Sequence, residues 1–124
     1  MIKPFTIKVV HTKRSTAQAY TVYVGRPTAL GNPFSNLQRS NAKFVPTLEE
    51  VINKYSEWLS TSIENSEEVC NALNHLLTIG QQYGKLELAC WCKDENKPYP
   101  SDHACHADVI RDVIYKHIQE NNND

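Results

Sequence analysis

The sequence has no long apolar run and no excess of charge of either sign. Thirteen basic and fourteen acidic residues among 124 give a formal net charge of −1. This balance predicts no broad affinity for nucleic acid and no attraction to an anionic membrane. A membrane-spanning helix needs about twenty mostly apolar residues. Because no stretch of the chain approaches that length, we expect no membrane partner.

The first residues also lack the features of a secretory signal. MIKPFTIKVV has no apolar middle and no small-residue cleavage site, so we expect a cytoplasmic protein. In a reducing compartment, cysteines are thiols, metal ligands or catalytic groups before they are disulfides. This expectation covers all four cysteines of the chain, Cys70, Cys90, Cys92 and Cys105.

Length and composition are those of one globular domain. Hydrophobic residues make up 40% and charged residues 22% of the chain, which is enough to form a single core. We place this α/β domain at residues 1–119 and expect the polar residues 120–124 to form a frayed tail.

Six segments predict regular structure. Strands are expected where β-branched and aromatic residues concentrate, and helices where apolar residues recur every three or four positions. The strands are placed at residues 5–10, 20–24 and 86–92, and the helices begin at Thr47, near Ser66 and at Cys105 or His106. The order β-β-α-α-β-α predicts an α/β fold. We expect a small sheet of about three or more strands, with three flanking helices in two or three layers.

Local signals add three expectations about the connections. The polar link between the first two strands allows either a long hairpin or a less direct connection. Gly80 and Gly84 are expected to mark the end of the second helix, and Ile118 the end of the third. Residues 25–46 hold several glycines and prolines and are expected to be irregular. A loop of that length is usually functional or disordered.

Two irregular segments follow a strand and precede a helix, which is where ligands collect in α/β folds. The first is the glycine loop, GRPTALGNPF at Gly25–Phe34. It is neither a Walker loop nor a dinucleotide-binding fingerprint. The alternative to ligand binding is a structural loop in which Arg26 pairs with a carboxylate such as Asp108.

The residue types of the glycine loop suit a small ligand with an anionic group and a polar ring. Gly25 and Gly31 allow the backbone to approach a ligand closely. Arg26 can donate two parallel hydrogen bonds to a phosphate or a carboxylate. Asn32 can donate and accept, which suits the edge of a base or a sugar, and Phe34 can stack on a ring.

The second segment holds CWC at residues 90–92 and CHAD at residues 105–108. In a catalytic interpretation, Cys105 or Asp108 is a nucleophile or a base, and His106 carries a proton. Trp91 is then available to stack on the ligand.

Two other interpretations of this segment stay open. Cys90, Cys92, Cys105 and His106 can bind zinc, since three thiolates and one imidazole form a proper ligand set, although their spacing is not a standard one. Alternatively, Cys90 and Cys92 are small buried hydrophobes, and Asp108 is a helix-start residue paired with Arg111. We expect no cofactor other than possible zinc.

Four sequence blocks together resemble an uncharacterised domain family of small phage and bacterial proteins. The family has a GRP…GNPF segment near its start and an LxCWC…CHxDVL segment near its end. The resemblance covers about residues 20–118 and implies that the gene is of phage type, which would place the protein in the host cytoplasm. The blocks are VYVGRPTALGNPF at 22–34, YSEWL at 55–59, LACWC at 88–92 and CHADVI at 105–110.

The chain departs from the family pattern in the second segment. The gap between the two cysteine blocks, residues 93–104, is longer than in the pattern. Ala104 stands in place of a proline, and Ala107 stands where glycine is frequent. The longer gap argues against a rigid metal knuckle and suggests a lid that is specific to this member.

Two functions follow from these observations. The leading hypothesis is an enzyme that acts on a small nucleotide or nucleobase-like ligand, by hydrolysis or transfer at a glycosidic or phosphoester bond. The alternative is a non-catalytic, phage-type binding module with structural or zinc-binding cysteines. An enzyme should present Asp108, His106 and Arg26 around one pocket, whereas an interaction module should expose an apolar patch or a closed metal knot.

Overall fold

The computed structural model describes residues 3–11, 18–25, 28–31, 33–35, 43–44, 48–90 and 106–122. In chain order its elements are β1 Thr6–His11, β2 Thr21–Tyr23, β3 Phe34–Ser35, β4 Lys43–Phe44, α1 Leu48–Asn65, α2 Glu67–Tyr83, β5 Lys85–Cys90 and α3 His106–Asn122. The predicted α/β class and the order of the main elements are confirmed. Residues 25–46 are not wholly irregular, because β3 and β4 pair in parallel as a separate small sheet.

The main sheet has three parallel strands in the order β1-β5-β2. The last strand of the chain is therefore central, and the possible hairpin between the first two strands is not formed. Parallel neighbours need a long crossover connection rather than a tight turn. Between β2 and β5 that connection includes α1 and α2.

All three strands of the main sheet end at the same edge, which we call the carboxyl edge. The register pairs His11 with Cys90 and Tyr23 with Ala89. Val24 continues the ladder, since its N–H donates to the carbonyl of Ala89 at 2.9 Å. The backbones of His11, Cys90 and Val24 are thus level with one another at the carboxyl edge.

One face of the main sheet forms the core with the helices. Its alternate residues are buried together with apolar residues of α1, α2 and α3, whereas Thr6 and Lys8 on the opposite face are exposed. Within the described part of the chain, the protein is therefore a two-layer structure. The buried residues of the covered face are Phe5, Ile7, Val9, Leu86, Leu88 and Cys90.

Helix α2 begins where the sequence predicts, next to Ser66, but ends later than Gly80. The Ser66 hydroxyl accepts a hydrogen bond from the N–H of Val69 at 3.3 Å, which is a helix N-cap. Gly84 ends the helix in the left-handed conformation, with φ 72°. Gly80 is buried inside the helix, and a Cβ placed there would lie 2.5 Å from Cδ2 of Phe5. Gly80 therefore marks a close approach of the Phe5 ring and not a helix end.

Helix α3 buries its residues at intervals of four and runs further than expected. Ile110, Ile114 and Ile118 face the core. The helix continues to Asn122, so residues 120–122 of the predicted frayed tail are helical. None of the described helices is long and apolar enough to cross a membrane.

Candidate functional site

A hydrogen bond joins the second of the two segments that the sequence singles out to the residue just before the first. Nε2 of His106, the first residue of α3, lies 2.8 Å from the carbonyl oxygen of Val24, which directly precedes the glycine loop. Because a carbonyl oxygen can only accept, Nε2 of His106 carries the proton. This bond places the start of α3 beside the end of β2, at the carboxyl edge of the sheet.

A second buried side chain holds the glycine loop from helix α1. The hydroxyl of Tyr55 donates to the carbonyl oxygen of Leu30 at 2.6 Å. The ring of Tyr55 also meets the ring of His106 edge to face, with the two centroids 5.2 Å apart and an interplanar angle of 79°. Edge-to-face contact is a favourable arrangement of two aromatic rings. Helices α1 and α3 therefore hold the loop through two side chains that touch each other.

Within the glycine loop, tight turns use several backbone carbonyls. The carbonyl of Gly25 accepts hydrogen bonds from the hydroxyl of Thr28 at 2.6 Å and from its N–H at 3.0 Å. The N–H of Gly31 donates to the carbonyl of Thr28 at 2.9 Å. Gly25 is buried, and a Cβ there would lie 2.6 Å from Cζ of Tyr23. Gly25 therefore packs directly against the ring of Tyr23, which would have to shift for any larger residue at this position.

Asp108 lies in the first turn of α3, two residues after His106. Its carboxylate accepts a hydrogen bond from the guanidinium of Arg111 at 3.3 Å, and its side chain is 19% exposed. This contact is the pairing that the structural interpretation of Asp108 predicts. Arg111 also contacts Asp112 at 3.2 Å, and the side chain of Asp112 is 69% exposed. Asp108 is therefore the more sheltered of two carboxylates that share one arginine.

His106, predicted as a zinc ligand or as a proton carrier, is only 2% exposed. Because Nε2 donates to Val24, a metal ion or a transferred proton would have to use Nδ1. Histidine ligands of metals commonly donate the N–H of their other ring nitrogen to a backbone carbonyl in this way. The bond is therefore compatible with His106 as a metal ligand or as a proton carrier.

Cys90, the predicted zinc ligand at the end of β5, is fully buried in the hydrophobic core. Cys92 and Cys105, the other two predicted cysteine ligands, lie outside the described residues. Among the residues that the structure does describe, no group of three or more histidine, cysteine or acidic side chains could hold a metal ion. Zinc binding therefore stays a prediction.

The structure describes only part of the predicted ligand-binding set. Gly25 and Gly31 lie in the described part of the glycine loop, and Phe34 begins strand β3. Arg26, Asn32 and Trp91 lie outside the described residues, so their predicted contacts with a phosphate, a base edge or a ring stay predictions.

The sequence pattern missed the role of Tyr55. Helical periodicity assigns this residue to the buried stripe of α1, and it is indeed fully buried. Its hydroxyl, however, bonds to Leu30, which lies twenty-five positions away in the sequence. The one available signal was that Tyr55 falls in one of the four blocks shared with the uncharacterised family.

Comparison with known proteins gives a family but no activity. No curated protein and no solved structure shows significant similarity to this chain. The pattern of the domain of unknown function DUF4326 matches residues 7–116, which is most of the 124 residues. The match includes Val24 and His106, which meet at the carboxyl edge. The chain therefore belongs to the uncharacterised DUF4326 domain family.

Proposed function

We propose that this protein is an enzyme that binds a nucleotide or nucleobase-like small molecule at the carboxyl edge of its sheet. The observation that carries the proposal is the bond between His106 and Val24, which brings the glycine loop and the start of α3 together. Parallel α/β sheets bind their ligands at this edge, where loops follow the strands and helices begin.

The chemistry of the two segments supports this class of ligand. The loop sequence contributes Arg26, whose guanidinium suits a phosphate, and Asn32, whose amide suits the edge of a base or sugar. The reaction we propose is hydrolysis or transfer at a glycosidic or phosphoester bond. Asp108 is the residue we assign as nucleophile or general base, because its carboxylate is sheltered and it lies in the first turn of α3, two residues after His106.

His106 fits a supporting role better than that of a proton carrier. It is buried, and one ring nitrogen is committed to a backbone carbonyl. A general acid or base must reach the reacting atom directly or through one water molecule. Cys105 stays the alternative nucleophile, since it directly precedes α3, where helix N–H groups favour a thiolate.

The first test is thermal stabilisation and calorimetry with ribonucleoside 5′-monophosphates, using free nucleosides and inorganic phosphate as separate arms. A ligand at about 100 times its Kd stabilises the folded state by about 2.7 kcal/mol, which a melting curve resolves. We expect a monophosphate to bind more tightly than its nucleoside or phosphate alone. If no nucleotide, nucleoside or phosphate binds, the proposed ligand class is wrong.

The role of Asp108 is tested with a matched pair of variants. Asp108→Asn should lower the rate of nucleotide turnover by at least about a hundredfold, because a general acid or base contributes a rate factor of that order. Asp112→Asn is the control, since it contacts the same arginine but is mostly exposed. Equal effects of the two substitutions would mean that Asp108 serves only the charge balance of Arg111.

A non-catalytic module is the second candidate, and an apolar groove favours it. A cavity of about 200 Å³ opens between the three helices, lined mostly by apolar side chains that include Leu73, Leu77 and Val113. An apolar groove between helices can accept the apolar face of a partner helix. The finding that would favour this candidate is about one zinc ion per chain, measured by elemental mass spectrometry, together with no nucleotide binding.

A further inference from the structure

The glycine loop is anchored at two points by side chains from different helices. Val24 precedes the loop and Leu30 lies within it, and both residues are buried. Each offers its backbone carbonyl to a side chain: Val24 to His106 of α3 at 2.8 Å, and Leu30 to Tyr55 of α1 at 2.6 Å. The backbone is therefore bonded to the helical layer at Val24 and again at Leu30.

The two anchoring side chains form one unit. Tyr55 is fully buried and His106 is 2% exposed, and their rings meet edge to face with centroids 5.2 Å apart. Neither ring can move outward without disturbing the other, because close-packed interiors leave no free space beside them. Trp58 further confines Tyr55, with ring centroids 5.5 Å apart.

We propose that Tyr55 and His106 are positioning residues that fix the backbone at Val24 and Leu30 and so orient the glycine loop for its ligand. This inference rests on the function proposed above and names residues that do not need to touch the ligand. A binding loop that is already ordered in the free protein loses less conformational entropy when its ligand binds. The two anchors would order the loop from the core, which leaves the remaining groups of the loop available to contact the ligand.

The anchors explain why polar side chains occupy buried positions in two separate helices. A buried carbonyl without a hydrogen bond is costly, so each of the two loop carbonyls requires a donor. Phenylalanine at position 55 would fill the same space but donate nothing to Leu30. The hydroxyl of Tyr55 and the Nε2–H of His106 are therefore the features that distinguish an anchor from ordinary core packing.

The decisive variant is Tyr55→Phe, because it keeps the ring and its contact with His106 and removes only the hydroxyl. We expect hydrogen–deuterium exchange to rise at least about threefold in a peptide that covers residues 25–31. The Kd for the tightest-binding ribonucleoside 5′-monophosphate should rise between about threefold and tenfold. His106→Gln is the second variant, since its amide can still donate to Val24. The His106→Gln protein should therefore have a lower Kd for the same monophosphate than the His106→Ala protein.

Ser66→Ala is the matched control, because it weakens the cap of α2, away from the loop. It should raise exchange at the start of α2 and leave both the loop and the nucleotide Kd unchanged. Global destabilisation alone would affect the loop equally in Tyr55→Phe and Ser66→Ala, and that result would overturn the anchoring role.

The remaining outcomes separate this inference from the proposed function. A loosened loop with an unchanged Kd in Tyr55→Phe would show that anchoring does not serve the ligand, and the positioning role would be wrong. If the wild-type protein binds no nucleotide, the proposed function fails first, and Tyr55 and His106 are structural anchors only. If the wild-type protein binds a nucleotide tightly, and Tyr55→Phe both loosens the loop and raises the Kd, the proposed function and the positioning role are both supported.

Discussion

Gly80→Ala should destabilise the protein, although alanine is the better helix former. In an open helix position, this exchange stabilises by about 0.8–1 kcal/mol. Here the added methyl would overlap the ring of Phe5, which is only 7% exposed. Driving that ring out of the core costs about 1.5–3 kcal/mol. The expected net loss is therefore about 0.5–2 kcal/mol of unfolding free energy.

The assay is thermal and urea unfolding of Gly80→Ala in two backgrounds, wild type and Phe5→Leu. A loss of this size lowers the Tm by roughly 2–8 °C in a domain of this length. In the Phe5→Leu background the smaller side chain makes room. The cost should then fall by about 1 kcal/mol or change sign, which is the coupling expected of residues in contact.

Gly84→Ala is the control for this experiment. Among the described residues, no atom lies within 4 Å of a Cβ placed at Gly84, but its φ of 72° is unfavourable for alanine. Its cost of about 1–2 kcal/mol should come from the backbone and be the same in both backgrounds. A higher Tm for Gly80→Ala in the wild-type background, or an equal cost in both backgrounds, would refute the packing argument.

Two further predictions concern polar contacts that hold the fold. Tyr115→Phe removes the hydroxyl that accepts from the N–H of Ile7 at 2.7 Å on the edge strand β1, and we expect a loss of about 1 kcal/mol in urea unfolding. Unchanged stability would mean that water replaces the hydroxyl. Ser66→Ala should cost about 1 kcal/mol through loss of the α2 cap. Ser66→Asp should restore the cap, and equal melting temperatures for the two variants would argue against a capping role.

Helices were largely predictable because their signals are local. The apolar stripes, the start of α2 near Ser66 and the Gly84 end each depend on residues within a few positions of one another. The α/β class followed from the order of elements in the same way. Gly80 was misread as a helix end because glycine at a helix end and glycine at a close contact look alike in sequence.

Sheet order and the anchors of the glycine loop were decided only by tertiary structure. That β5 lies between β1 and β2 depends on pairings between strands more than sixty positions apart. Tyr55 and His106 are ordinary members of their helices until the fold brings Leu30 and Val24 to them. Residue types alone singled out the glycine loop and the start of α3 as candidate segments for a site. The contacts that join those segments arise from long-range packing, because a hydrogen-bond partner far along the chain leaves no periodic pattern in sequence.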